Sequence, residues 1–339
     1  MRFWAITSEM GISSLSMNKK AIPKPGNKEV LIRVRASSIN YRDLMTVEDP
    51  KPRVPELPWC PNSDCSGVIE ELGGACEGLS VGDRVMGCFF QNWSEGDIGS
   101  AAMSSALGGS LPGVLAEYVV LKADSVVKIP EYLDFISAAA LPCAAVTAWH
   151  AMQYRIPIKK DENVLIMGTG GVSIFAQQFA TILGAKTIVL SSSDHKLERI
   201  KKIGADYSIN YNRFPDWEKK VTELTDGVGV DHILEVGGAG TLEKSILATR
   251  IGGHIALIGI LAGASGKVVP TGIMRKSLNV SGIYVGSKTM FQNMLNVMDA
   301  SKLMPIIDQT FSFNSVKDSF HLMKSGKHFG KIVISFDDA

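Results

Sequence analysis

The chain has 339 residues, 45 % of them apolar and 20 % charged, so there is material for packed cores and disorder is excluded for the bulk of it. Lys plus Arg number 35 against 34 Asp plus Glu, a net charge of +1 that leaves no basic surplus to grip nucleic acid and no acidic tail. At roughly 100–200 residues per domain, the length predicts two domains or three. The five cysteines, Cys60, Cys65, Cys76, Cys88 and Cys143, are odd in number and form no C-x-x-C pair, which fits a reducing compartment rather than a disulfide framework. The opening MRFWAITSEMG has no apolar core of signal-peptide type, and the most apolar stretch, Ile255 to Ala264, is too short to span a bilayer. A cytoplasmic protein with no membrane partner is expected.

The first ~120 residues read as short β runs separated by Gly and Pro turns, the texture of a small barrel. Strand candidates are Val30 to Ala36, Cys65 to Leu72, Val81 to Gly87 (a turn leading into a strand) and Gly113 to Val120. Pro50, Pro52, Pro55, Pro58 and Pro61 mark one ordered loop. From about Ser137 helices alternate with apolar strands: Asn163 to Met167, a helix over Ile174 to Leu183, Thr187 to Leu190, and an amphipathic helix over Asp194 to Ile203. Val230 to Val236, His254 to Gly259 and Val280 to Val285 continue the series. Such alternation predicts βαβ units and a parallel sheet. A helix over Thr289 to Ala300 and a strand over Lys331 to Phe336 close the chain.

The sharpest motif is NVLIM followed by Gly168-Thr169-Gly170-Gly171-Val172-Ser173 and a helix. The first Gly permits a tight turn, the second lets backbone approach a pyrophosphate, and the third position needs a small residue, here Ser173. Phosphates would sit on the N–H groups and dipole of the helix N-terminus. The next strand ends in Ser191-Ser192-Ser193 rather than in the acid that selects NAD. Hydroxyls with Lys196 and Arg199 nearby suit a 2′-phosphate, hence NADP(H), although both cations are equally placed to be the solvated face of the following helix. Asp194 reads as a helix cap.

GTGGVS, SSSD-x-KLER, SINYRDL, SAAALPCAAVTAWHA and HFGKIVI together resemble the medium-chain dehydrogenase/reductases, and most closely their zinc-free quinone-reductase and alcohol-dehydrogenase-like branch. The resemblance spans the whole chain. It implies an α/β protein with a GroES-like β-barrel domain (1–124 and 287–339) and a Rossmann domain with a doubly wound parallel sheet (125–286). It further implies a nicotinamide cleft between the two, and a homodimer joined by the edge strand near Asn279 to Val285. For cofactor contacts it implies Thr147 near the nicotinamide and Gly168, Gly170, Gly171, Val172 and Ser173 at the pyrophosphate. Ser192, Lys196 and Tyr211 fall on the adenosine side, and Gly237, Ile258, Ile283 and Phe329 along the ribose and nicotinamide.

Zinc-dependent members need three Cys, His or acidic ligands. Here Asn40 stands in the first slot and Asn62-Ser63-Asp64 in the second, and only Cys143 is a soft ligand. Residues 88–114 hold one cysteine where a structural zinc lobe needs four. No metal is expected, and Cys143, Cys60 and Cys65 read as packing residues. Without a Lewis acid, hydride transfer to a quinone, enone or activated C=C bond remains feasible. Asn40 and Tyr41 are the candidate oxyanion donors, with Asp43 and Arg42 orienting their loop. Against this, Asn40 suits a turn, Tyr41 a half-buried strand and Asp43 a helix cap. His150 reads as a core or interface residue. The segment Phe89 to Pro112 is either a lid or a surface loop. The expected function is thus zinc-independent NADP(H)-dependent reduction of a small molecule. A zinc-free alcohol or aldehyde dehydrogenase and a non-catalytic NADPH-binding protein of crystallin type are the alternatives.

Overall fold

The structure, a computed structural model, describes residues 1–8 and 10–337. The chain divides into two compact units, 1–146 with 286–339, and 147–285.

The first unit is built on Glu29–Ile39, a long strand whose branched and apolar residues bury Val30, Ile32, Val34 and Ile39. It pairs antiparallel with Asp64–Leu72, Tyr118–Lys122 and Lys331–Ser335. The sheet extends on one side through Arg84–Gly87 and Val126–Lys128, and on the other through Ile307–Ser312. Phe313, Phe320 and Phe336 fill the same core as Ile32, Ile69, Val85 and Ile334. The segment 113–120, expected as one strand, is strand only from Tyr118. Gly113 and Val114 instead donate to the carbonyls of Cys60 and Asn62 at 2.8 and 3.0 Å, tying this stretch to the Pro-rich loop.

Residues 125–146 fall in this unit and not in the second, to which the family resemblance assigned them. Val126–Lys128 completes the sheet, and the helix Phe135–Ala139 packs on Glu29–Ile39 and Asp64–Leu72. The Ser66 hydroxyl donates to the Phe135 carbonyl at 2.6 Å. Part of the segment 89–112 is packed down: Phe89, Phe90, Trp93 and Leu107 are buried, Phe89 and Phe90 meet edge to face, and residues 94–101 are exposed.

The second unit holds six parallel strands: β1 (Asn163–Met167), β2 (Lys186–Ser191), β3 (Tyr207–Asn210), β4 (Val230–Glu235), β5 (Thr249–Leu257) and β6 (Asn279–Gly282). Their order is β3-β2-β1-β4-β5-β6. The near-continuous burial of β1, β2 and β4 is what a sheet covered on both faces requires. This order reverses between β1 and β4, and the crevice at such a reversal, outside the carboxyl ends of the strands, is where doubly wound sheets bind ligands.

Candidate functional site

Both loops that flank the reversal carry glycine. After β1, Gly168 turns the chain with φ 76°, a left-handed conformation that favours glycine, and its N–H donates to Leu190 O at 2.8 Å. Gly170 precedes the helix α1 (Gly171–Leu183), whose first-turn N–H groups open toward this end of the sheet. The Ser173 hydroxyl donates to the Met167 carbonyl at 2.6 Å, clamping helix to strand. Ser173 therefore does the close-packing work, and Gly170, Gly171 and Val172 form the N-cap and first turn of the helix. After β4, Gly238 (φ 83°) makes the second tight turn. The Glu235 carboxylate, fully buried, builds that turn: Oε1 accepts from Gly237 N at 2.7 Å, Gly238 N at 3.0 Å and the Thr241 hydroxyl at 2.7 Å, and Oε2 accepts from the Ser245 hydroxyl.

The remaining nucleotide candidates of this unit gather at the same strand ends. Ser192 and Lys196 follow β2, Tyr211 follows β3, Ile258 follows β5 and Ile283 follows β6. Ser193, and not Asp194, caps the helix α2 (Asp194–Lys202), its hydroxyl accepting from Lys196 N. Asp194 accepts instead from Asn210 Nδ2 at 2.8 Å and from Arg213 at 2.5 Å. Arg213, unremarked in the sequence, thus holds Asp194 from the turn after β3, where Asn212 Nδ2 reaches Ser192 O at 3.4 Å. Thr147 is the buried first residue of this unit, whereas Phe329 belongs to the first unit. His150 is a core residue: its Nδ1 lies 2.7 Å from Val285 O, and burial lowers its pKa.

In the first unit, the SINYRDL segment turns from strand to helix. Asn40 ends the strand, and Tyr41 begins the helix Tyr41–Glu48, half exposed on its first turn rather than set in a strand. Asp43, fully buried, accepts from Asn40 N at 2.8 Å and lies 3.3 Å from Arg42. Burial pushes its carboxyl up to about 6, with Arg42 opposing and Asp64 adding to the rise. Asp43 is spent holding this turn.

Around Asn40 lies a buried polar chain. Lys331 Nζ, 3 % exposed, donates to Ile39 O at 2.9 Å and to Asn40 Oδ1 at 2.5 Å. Asn40 Nδ2 faces Ser63 Oγ at 3.4 Å, and the Ser63 hydroxyl donates to Asp64 Oδ1 at 2.7 Å. Asp64 Oδ2 accepts from Cys143 N and from the Ser38 hydroxyl, both at 3.2 Å, and lies 3.9 Å from Lys331 Nζ. Burial, reinforced by Asp64, pushes the Cys143 thiol up and keeps it protonated. The chain offers zinc one carboxylate, Asp64, which the Lys331 ammonium faces at 3.9 Å, and the Cys143 thiol, whereas Asn40 and Ser63 stand where two further slots would need thiolate, imidazole or carboxylate. Among the described residues no three His, Cys, Asp or Glu side chains converge as a metal site, and no helix is long and apolar enough to cross a membrane. Sequence reasoning passed over Lys331; the one signal was a lysine opening the apolar strand run Ile332-Val333-Ile334.

Comparison with known proteins agrees with this architecture. Residues 26–131 match the alcohol dehydrogenase GroES-like domain, and residues 171–300 match the zinc-binding dehydrogenase model. The chain is 40 % identical to a zinc-type alcohol dehydrogenase-like protein of Schizosaccharomyces pombe, over 96 % of each chain. It is 30 % identical to an acryloyl-coenzyme A reductase of Sulfurisphaera tokodaii, covering 92 % of this chain and 93 % of that one. The crystal structure of an NAD-dependent alcohol dehydrogenase superposes with a TM-score of 0.89 at 32 % identity, covering 99 % of this chain and 100 % of that one. With a Rossmann sheet, a GroES-like domain and relatives of this kind along its full length, the chain belongs to the medium-chain dehydrogenase/reductase superfamily and is an NAD(P)H-dependent oxidoreductase.

Proposed function

We propose that this chain is a zinc-independent, NADP(H)-dependent reductase acting on an acceptor that is already electrophilic: a quinone, an enone or another conjugated carbonyl compound. The observation that carries this reading is the buried chain Lys331–Asn40–Ser63–Asp64. A cation entering among these donors would meet the Lys331 ammonium at close range in a poorly screened interior. Without a Lewis acid the oxidation of an alcohol lacks its means of forming an alkoxide. Reduction of a conjugated acceptor needs only binding, orientation and polarisation.

When bound, the nicotinamide nucleotide supplies the hydride. The N–H groups of Gly170, Gly171 and Val172 would hold its pyrophosphate, with Gly168 and Ser173 setting their loop. Ser192 and Lys196, joined by Arg213, would read the 2′-phosphate, and Tyr211 the adenosine. Thr147, Gly237, Ile258, Ile283 and Phe329 complete the proposed contacts. Asn40 Nδ2 donates to the substrate oxygen as negative charge develops there, the Tyr41 hydroxyl assists, and Asp43 with Arg42 holds the turn that carries both. The relative named as an acryloyl-coenzyme A reductase supports reduction of an activated C=C bond. One observation favours a second reading, NAD-linked alcohol oxidation: Asp194 places a carboxylate near the end of β2, and one structural relative is NAD-dependent. The β6 edge strand, with Val280 exposed, supports a homodimer joined edge to edge.

The test is NADPH oxidation with a panel of quinones and enones, run beside NAD(P)-linked oxidation of alcohols, on protein purified without added zinc. Steady turnover of at least one conjugated acceptor at far below one zinc per chain is expected. Stoichiometric zinc lost together with activity on chelation overturns the reading.

A further inference from the structure

We infer that Lys331 is a positioning residue: its buried ammonium fixes which end of the Asn40 amide is left for substrate. The inference rests on the reading of Asn40 as the donor to the developing oxyanion. The two ends of an asparagine amide have nearly the same shape but opposite chemistry, one accepting and the other donating. Only the NH₂ end polarises a carbonyl; the oxygen would repel it.

The structure biases that choice from both sides. An ammonium has three donors and no acceptor, so the group at 2.5 Å from it must be the amide oxygen. On the far side, Ser63 commits its proton to Asp64 Oδ1 at 2.7 Å, so its oxygen is available only as an acceptor and faces Nδ2 at 3.4 Å. The hydrogen bonds therefore run in one direction, from ammonium to amide to hydroxyl to carboxylate. A flipped Asn40 would set NH₂ against an ammonium and C=O against a hydroxyl that has already given up its proton. In the observed order one N–H of Nδ2 is left over. Register puts Lys331 there: Ile332 pairs with Ile39, so Lys331 falls opposite Asn40.

The experiment compares kcat and KM for Asn40→Ala, Lys331→Met and the double variant on the best acceptor found. Because Lys331→Met strands the Asp64 charge, the neutral pair Lys331→Met/Asp64→Asn is made as well. The expected result is a fall in kcat of ~10²–10³-fold for Asn40→Ala, the range for loss of one oxyanion donor. A comparable fall is expected in whichever Lys331 variant folds, with KM for NADPH unchanged and no further loss when Asn40→Ala is added. Losses that multiply, or normal kcat in the neutral pair while Asn40→Ala is impaired, overturn the role of Lys331 and leave that of Asn40 standing. Normal kcat in Asn40→Ala overturns the donor reading itself and the inference with it.

Discussion

His232 and His254 face each other across neighbouring strands β4 and β5, their Nδ1 atoms 3.4 Å apart. His232 Nε2 lies 3.0 Å from Glu162. This arrangement assigns the Nε2–H tautomer to His232 and the Nδ1–H tautomer to His254, and leaves His254 Nε2 buried without a partner. Burial, then repulsion from His232, lowers the His254 pKa from 6.5 to about 4. The unfolded chain therefore binds the extra proton across that interval, and stability should rise with pH from about 4 to about 6.5 and level off above. His254→Leu should flatten this acid slope, as measured by urea unfolding at a series of pH values. Asp43 works with the opposite sign: its folded pKa of about 6 lies above its ordinary value, so its ionisation costs stability as pH rises through the same window. The slope is thus to be read against Asp43→Asn. An unchanged slope in His254→Leu would mean that this histidine pair does not set acid sensitivity.

Cofactor choice is the second test. Lys196 lies in the first turn of α2, just after β2, and Arg213, beyond the end of β3, is paired with Asp194. A charge-assisted bond to phosphate contributes about 1.5–3 kcal/mol, or roughly 10–100-fold in affinity. Lys196→Ala and Arg213→Ala should each weaken NADPH by an amount in this range and leave NADH nearly unchanged, followed by nucleotide fluorescence. Equal losses for both nucleotides would remove these residues from 2′-phosphate recognition.

Tyr41 and Asn40 should differ in degree. Tyr41 is half exposed on the first helical turn, and Tyr41→Phe removes only its hydroxyl. Its effect on turnover should be smaller than that of Asn40→Ala, with NADPH binding intact in both. If Tyr41→Phe proves the more damaging of the two, the tyrosine is the principal donor.

Glu235 offers a test of the turn after β4. Removing its carboxylate leaves two backbone N–H groups and two hydroxyls without their acceptor. Unpaired buried donors cost about 1–3 kcal/mol each where water does not replace the bond. Glu235→Ala should lower Tm by several degrees and weaken nucleotide binding through Gly237. Wild-type Tm and nucleotide affinity in that variant would show the turn to be self-supporting.

Much of the nucleotide unit was legible because its signals are local. GTGGVS follows a strand and opens a helix within a few residues, and each strand announces itself as an apolar run. The boundary expected near 125 lies near 146 because Val126–Lys128 joins the first unit's sheet and the helix Phe135–Ala139 packs on Glu29–Ile39 and Asp64–Leu72, partners distant in sequence that no local pattern names. Asp64 and Lys331 were illegible as partners for a different reason. They are 267 positions apart, and their meeting depends on the antiparallel register of Lys331–Ser335 on the long first-unit strand, which nothing near either residue encodes.

That last strand also bears on the order in which the protein assembles during synthesis. Lys331–Ser335 lies between Glu29–Ile39 and Ile307–Ser312, in the interior of its sheet. Residues 147–285 are synthesised before either late strand, so the nucleotide unit has all its strands while the earlier-synthesised sheet still shows an open edge. The amino-terminal unit is first to be made and last to close. Ribosome-bound chains halted before residue 331 would therefore carry an exposed edge along Ala36–Ile39 and an Asn40 without its ammonium, a template for pairing with other nascent chains until the final strand arrives.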